Sequence, residues 1–194
     1  TGITMNTAAP WMRYIFFTIG LCAAVSGCRD TECKNTTVSP IDMVEAIGGR
    51  VERDKERPDQ PIIGVDLSLR ERLTDSVWET LKSFPYLEKL DIGGTGVTDN
   101  DLRHLKDFPQ LRELSLRFND VTDEGLKHVG GLKQLETLYL WETRITDDGL
   151  KHLEGLSRLR SLGLWNTAIG DSGIGHLAGL RQLENLDLTN TKVT

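Results

Sequence analysis

Apolar residues recur through most of the chain at a constant spacing of 24 residues. Each unit starts with a leucine. Aliphatic residues follow three and five positions later, a threonine or asparagine eight positions later, and a valine or isoleucine ten positions later. The clearest units start at Leu87, Leu111, Leu135, Leu159 and Leu183, the last being a half unit. An earlier unit with one extra residue begins near Ile62. This register predicts stacked repeats, since no single unit can bury its own leucines.

The pattern within one unit predicts a strand followed by a short helix. Residues 138–141 alternate between leucine and an aromatic residue, which is the period of a β-strand. Leu150, Leu153 and Leu156 then follow at a spacing of three, which places them on one face of a helix. One aspartate per unit precedes this helix, in the column Asp75, Asp99, Asp123, Asp147 and Asp171. We interpret these carboxylates as helix caps rather than a calcium ladder, because one carboxylate per unit is too few to surround an ion.

The pattern L-x-x-L-x-L-x-x-(T/N)-x-(V/I) resembles the leucine-rich-repeat family over about residues 62–194. The resemblance implies an α/β solenoid shaped like a horseshoe, with parallel strands on its concave face and short helices on its convex face. The segment 145–156 looks like a 24-residue subtype abundant in bacteria and related to the repeats of F-box substrate receptors. Threonine replaces the family's usual asparagine in four of five units, so an intact asparagine ladder is not implied.

Residues 40–61 are predicted to form an N-terminal cap over the first apolar layer. Ile41, Val44 and Ile47 form the apolar stripe of a short helix that Gly48 and Gly49 end. The segments 50–54 and 61–67 could then pair as strands around a polar loop.

The first 27 residues are predicted to be a signal peptide. They contain one charged residue, Arg13, and the apolar run 14–25, which is too short to span a bilayer that needs about 20 helical residues. Met5 is a plausible start, which leaves open whether residues 1–4 are translated. The run ends in Val25-Ser-Gly-Cys28, which resembles the lipobox of bacterial lipoproteins. An ordinary cleaved signal and an uncleaved anchor are the alternatives.

The lipobox resemblance implies that Cys28 becomes the lipidated first residue of the mature chain. The protein would then be a membrane-anchored lipoprotein of the cell envelope, facing the periplasm or the exterior. The predicted organisation is a signal peptide at 1–27, a flexible tether at 28–39, the cap at 40–61 and the repeats at 62–194.

Composition and motifs argue against several function classes. The net charge of −6 does not suit a general nucleic-acid binder, which needs excess positive charge. We find no nucleophile elbow, zinc-protease motif, P-loop or dinucleotide fingerprint, so no enzymatic activity, catalytic residue or cofactor is predicted. The glycine-rich stretch 93–96 is interpreted as a tight turn rather than a phosphate cradle. Trp78 occupies a leucine column and is predicted to be a core residue.

All four histidines fall in one column: His104, His128, His152 and His176. Metal binding and a pH switch are possible functions of such a ladder. We interpret the column as inherited through duplication of one ancestral unit, and we predict no metal site there.

Aromatic residues at outward strand positions are the predicted binding surface. Trp141 and Trp165 share one column and Tyr139 lies beside them, with Gly163 leaving a hollow between the rings. The candidate binding residues are Tyr139, Trp141, Trp165, Phe118, Arg117 and Glu113. Exposed aromatic residues are typical of binding centres, although these rings could also merely cover the sheet.

The predicted function is recognition of a protein partner through the concave face. A carbohydrate-binding surface on the three aromatic residues is the alternative. A substrate receptor of a ubiquitin-type ligase is a weaker one that rests on family analogy alone.

Overall fold

The computed structural model describes residues 38–70 and 73–194. The predicted signal peptide and Cys28 lie outside the described residues. Seven strands form one sheet in chain order: β1 (Arg50–Arg53), β2 (Ile62–Asp66), β3 (Lys89–Asp91), β4 (Glu113–Ser115), β5 (Thr137–Tyr139), β6 (Ser161–Gly163) and β7 (Asn185–Asp187). The strands β2 to β7 are parallel, so the chain returns to the same end of the sheet after each strand.

The segment before the repeats contains the predicted helix and strand pair. Helix α1 (Pro40–Ala46) starts with a capping box, in which Ser39 and Asp42 bind each other's backbone N–H groups. The helix buries Val44 and is followed by Gly48 at a φ of +78°, a conformation that glycine adopts without strain. Strand β1 then pairs antiparallel with β2. These elements confirm the local predictions, whereas the role of residues 40–61 as a cap stays a prediction.

The strand register matches the sequence period throughout. Leu90, Leu114, Leu138 and Leu162 pair in one row across four strands, and each is at most 2% exposed. Thr137 and Tyr139, which flank Leu138 on its strand, are partly exposed on the opposite face. The predicted alternation is confirmed in β3 to β6, where the central leucine is buried, whereas Leu186 in β7 is 37% exposed.

Short helices return the chain from each strand to the next. The α-helices after α1 are α2 (Asp75–Lys82), α3 (Asp123–Val129), α4 (Asp147–Leu150) and α5 (Asp171–Ile174). Tighter 3₁₀ turns extend α4 and α5 over Lys151–Leu153 and Gly175–Gly179, and a 3₁₀ helix at Asp101–Asp107 stands alone between β3 and β4. No helix in residues 38–70 and 73–194 is long and apolar enough to cross a membrane.

Trp78 is a core residue, as its column predicts. It is 1% exposed, and its ring stacks on the ring of His104 with centroids 5.2 Å apart and lies near Phe108. One histidine of the predicted ladder therefore packs against the core, while its neighbours do not.

One residue per repeat, three positions after the end of the strand, adopts the left-handed conformation. The column contains Leu69, Gly94, Phe118, Glu142, Asn166 and Asn190, all with φ between +52° and +65°. Glycine and asparagine tolerate this conformation, but a bulky or charged side chain is uncommon there. The glycine-rich stretch 93–96 forms this turn in its own repeat, with Gly94 and Gly96 both at positive φ, as predicted.

The prediction that the aspartate column caps helices is wrong. Asp99 accepts hydrogen bonds from the backbone N–H and the hydroxyl of Thr122 in the next repeat, at 2.8 and 2.6 Å. Asp123 binds Thr146 in the same way, at 2.8 and 2.6 Å. The carboxylates therefore join each repeat to the next one instead of closing the helix that follows them.

A glycine column makes room for these carboxylates. A Cβ atom added to Gly125 would lie 2.5 Å from Asp99 Oδ1, and one added to Gly149 would overlap Asp123 Oδ1. Asp101 stands at the equivalent position one repeat earlier, and its carboxylate binds Thr98 of its own repeat. Among the described residues, Thr98 therefore has no aspartate link to the preceding repeat. Its repeat is the one that contains the 3₁₀ helix Asp101–Asp107.

The threonines that replace asparagine bond only within their own repeat. The hydroxyls of Thr95, Thr143 and Thr167 donate to the carbonyl three residues earlier. Asn119, in contrast, donates to the Ile92 carbonyl and accepts from the Gly96 N–H in the preceding repeat, both at 2.9 Å. The aspartate–threonine links on the helix side thus provide side-chain bonds between repeats that the threonines of this column do not.

Candidate functional site

The candidate site lies on the sheet face opposite the leucine rows, which we call the open sheet face. In β3 to β7 it is formed by the first and third residues of each strand and by the residue two positions further on. The strand order places Arg117 of one repeat beside Trp141 of the next, because the Phe118 N–H donates to the Trp141 carbonyl at 2.8 Å. In the same way the Glu142 N–H donates to the Trp165 carbonyl at 3.1 Å.

Tyr139 and Trp141 form the centre of this face. Their ring centroids lie 5.0 Å apart at an interplanar angle of 53°, a tilted contact that aromatic pairs favour. The expected hollow at Gly163 is absent, because the Trp141 indole lies over it. A Cβ atom on Gly163 would overlap Trp141 Nε1. The small residue therefore lets the indole lie on the neighbouring strand.

Trp165 continues the same column in the next repeat and is partly exposed. Among the described residues, the aromatic contact on this face joins Tyr139 to Trp141, and Trp165 does not take part in it. We call Tyr139, Trp141 and Trp165 the aromatic patch. The Tyr139 and Trp141 rings are in contact, Trp165 joins them only through the neighbouring backbone, and the role of the three residues in binding stays a prediction.

Phe118 lies at the edge of the open sheet face rather than within the aromatic patch. It occupies the left-handed position of its repeat, with φ at +58°, and is 47% exposed. The side chain of Leu69 is 72% exposed in the same column. Phe118 is thus an exposed ring at the edge where the strands end.

Arg117 and Glu113 belong to a charged region at the N-terminal end of the open sheet face. The Arg117 guanidinium pairs with Asp91 at 3.0 Å, and its stem lies over Gly93. The Lys89 ammonium pairs with Glu52 at 2.9 Å and lies 3.8 Å from Glu113. The hydrogen bond that the Lys89 ammonium donates to Glu52 raises the pKa of Lys89. Arg117 was selected as an outward strand position, and its side chain extends over Gly93 toward Asp91, away from the aromatic residues of the next repeat.

Ser115 departs from the expected exposure. It occupies an outward position, yet it is 5% exposed and its hydroxyl has no hydrogen-bond partner among the described residues. Its strand neighbours are Asp91 on one side and Tyr139 on the other. Large side chains on the adjacent strands therefore cover a small polar residue, an effect that alternation alone does not reveal.

Asp187 is an outward position of the predicted alternation that is not among the candidate binding residues. It pairs in register with Gly163, which in turn pairs with Tyr139. Hydrogen bonds from the Thr189 hydroxyl and backbone N–H hold the pKa of the Asp187 carboxyl below its usual value. The carboxyl is therefore ionised at neutral pH. The sequence signal that could have selected it is its outward position in the repeat, which it shares with Tyr139 and Gly163.

The histidine column does not form a common site. The His104 ring is largely buried against Trp78, with Nε2 3.6 Å from Asp75 Oδ1, whereas His176 Nδ1 contacts Glu154 at 2.6 Å. His128 is exposed. Within residues 38–70 and 73–194, no group of three or more histidine, cysteine, aspartate or glutamate residues is arranged to hold a metal ion.

Two segments of the chain match known repeat families. Residues 133–193 match a family described as leucine rich repeat, and residues 109–129 match a second leucine-rich-repeat family. The fold is a leucine-rich-repeat solenoid. Leucine-rich repeats commonly mediate protein binding and typically serve as interaction modules rather than enzymes. The open sheet face is the side of this solenoid that its strands form.

Two solved structures show a partial likeness to the chain. An internalin from Listeria monocytogenes has a TM-score of 0.43 at 24% identity, over 59% of this chain and 38% of that protein. A plant peptide hormone receptor, RGFR1 in complex with RGF2, has a TM-score of 0.42 at 17% identity, over 63% of this chain and 19% of the receptor. The chain thus spans well under half the length of either protein. No curated protein matches its sequence.

Proposed function

We propose that the protein is a recognition scaffold that binds a protein partner through the open sheet face. The observation that carries this proposal is the aromatic patch, which places three large rings on a sheet face supported by a closely packed leucine core. Aromatic anchors bury much area and lose few rotamers on binding, so a small number of them can dominate an interface. The repeat fold supports the same role.

Replacing Trp165 or Trp141 with alanine is expected to weaken partner binding by about 2 kcal/mol, roughly thirtyfold. Thermal stability should change little, because neither ring belongs to the leucine core. The measurement is calorimetric titration of a purified partner, first isolated by pull-down, together with melting curves of each variant. A glycan array run in parallel tests the carbohydrate alternative, which specific sugar binding in place of protein binding would favour.

His152→Ala is the matched control for these variants. His152 belongs to the 3₁₀ turn after α4 and lies away from the strands, so its loss should leave affinity almost unchanged. Unchanged affinity in both tryptophan variants, with a clear loss in the histidine variant, would move the binding site to the helix side and contradict the proposal.

We also propose that the scaffold is anchored in the cell envelope by a lipid on Cys28. The support is the resemblance of residues 25–28 to a lipobox directly after a short apolar run. Cys28→Ser is expected to block lipidation and leave an unprocessed precursor that anchors poorly. Membrane fractionation and the mass of the chain in a bacterial host measure this. A serine variant that matures and fractionates like the parent would show that the lipobox reading is wrong.

A further inference from the structure

The two ends of the open sheet face differ in charge. At the N-terminal end the acidic side chains are neutralised by basic ones. Asp91 pairs with Arg117 at 3.0 Å and Glu52 pairs with Lys89 at 2.9 Å. From residue 137 onward the open-face positions contain no lysine or arginine and are Thr137, Tyr139, Trp141, Ser161, Gly163, Trp165, Asn185, Asp187 and Thr189. The single charge in that set is the carboxylate of Asp187.

Asp187 is an ionised group without a cationic partner in the described part of the chain. The ion pairs of the neighbouring strands join other residues, such as Arg160 and Glu184. Asp187 Oδ1 accepts a hydrogen bond from the Thr189 N–H at 3.0 Å, and this bond, with that from the Thr189 hydroxyl, holds the carboxylate in place. A carboxylate offers about four acceptor positions in all, so this one can accept further bonds.

The carboxylate lies beside the aromatic patch. Neighbouring strands are about 4.8 Å apart. Gly163 on β6 lies between Tyr139 on β5 and Asp187 on β7. The Trp141 indole lies over Gly163 and fills the space between them. Trp165 comes two residues after Gly163 on the same chain segment. Aromatic ring surfaces and one carboxylate therefore border the same part of the sheet.

We propose that the aromatic patch and Asp187 together bind an arginine side chain of the partner protein. The guanidinium plane stacks on an indole ring and donates hydrogen bonds to the Asp187 carboxylate. This inference rests on the proposed function and adds the chemistry of the partner to it.

Physical chemistry favours this occupant over a neutral or acidic one. Tryptophan has the strongest attraction for a cation among the aromatic residues, and arginine stacks on rings more often than lysine does. An acidic side chain would meet the repulsion of the Asp187 carboxylate, which forms no ion pair in the described part of the chain. The net charge of −6 also favours approach of a basic segment.

The test uses a nonapeptide of glycine and serine that carries three arginines, titrated against the full chain by calorimetry. A second peptide replaces each arginine with citrulline, which has nearly the same shape and no charge. The arginine peptide is expected to bind about tenfold more tightly than the citrulline peptide, which corresponds to about 1.4 kcal/mol. Asp187→Asn should weaken arginine-peptide binding about fivefold and leave citrulline-peptide binding unchanged.

Glu124→Gln is the matched control, because it removes one negative charge from α3 on the helix side. It should not change arginine-peptide affinity. Equal affinity for the two peptides, or equal losses in the Asp187 and Glu124 variants, would overturn the inference. If purified-partner binding still depended on Trp165 in either case, the proposed function would stand and the arginine preference alone would be rejected.

Discussion

Replacing Leu138 with alanine is expected to lower the free energy of unfolding by about 2–5 kcal/mol. Leu138 is completely buried in the strand row between Leu114 and Leu162. Truncation would therefore leave a cavity within the layers that hold three repeats together. Denaturant unfolding of the purified repeat protein, with the slope checked for two-state behaviour, gives the value.

Thr137→Ala is the control for this change. Thr137 is adjacent in sequence but belongs to the open sheet face, where it is partly exposed. Its replacement should cost less than about 0.5 kcal/mol. Equal losses in the two variants would contradict the alternation that assigns the leucines to the core and the aromatic residues to the open face.

The leucine columns made most of the fold predictable from sequence. Their constant spacing fixes both the number of stacked strands and the register between them, because each strand must place the same column in the same layer. Trp78 is an example, because its position in a leucine column predicted a core residue although tryptophan differs from leucine in size and chemistry. It is 1% exposed.

The role of the aspartate column was not predictable by the same reasoning. An aspartate before a helix looks locally like a cap, whether its carboxylate turns to its own helix or to the following repeat. The deciding quantity is the distance to Thr122 or Thr146 in the next repeat, which the sequence does not contain. The recurring glycine two positions after the aspartate was an available signal, because glycine within a helix needs a reason.

The sequence predicted which face of the sheet carries the candidate site, but not the directions of its side chains. Alternation placed Tyr139, Trp141 and Trp165 outward, whereas side-chain direction depends on where a neighbour is small. Gly163 draws the Trp141 indole toward β6, and Gly93 draws Arg117 toward Asp91. These opposite directions separate the charged region from the aromatic patch, and that separation underlies the partner chemistry inferred for Asp187.

The aspartate–threonine links between repeats predict a loss of stability when the aspartate is replaced. They also predict that replacing the neighbouring helical glycine with alanine has the reverse of its usual effect. Asp123→Ala removes two hydrogen bonds to Thr146 and is expected to cost about 1–2 kcal/mol, because two bonds to a charged acceptor are lost while water can reach the exposed Thr146 donors. Asp147→Ala should cost about half as much, since Asp147 accepts from the backbone of Gly170, which has no hydroxyl.

Gly149→Ala should cost about 2 kcal/mol in the parent, although alanine within a helix is ordinarily about 1 kcal/mol more favourable than glycine. The cause is the overlap of the new Cβ with the carboxylate of Asp123, which must move away from Thr146. In the Asp123→Ala background the same substitution meets no carboxylate and should cost little, since only the 3.1 Å approach of the new Cβ to Ile145 Cγ2 remains. Denaturant unfolding of the two single variants and the double variant yields a coupling energy of about 2 kcal/mol or more. Additive losses would mean that this column requires glycine for a reason other than the aspartate links between repeats.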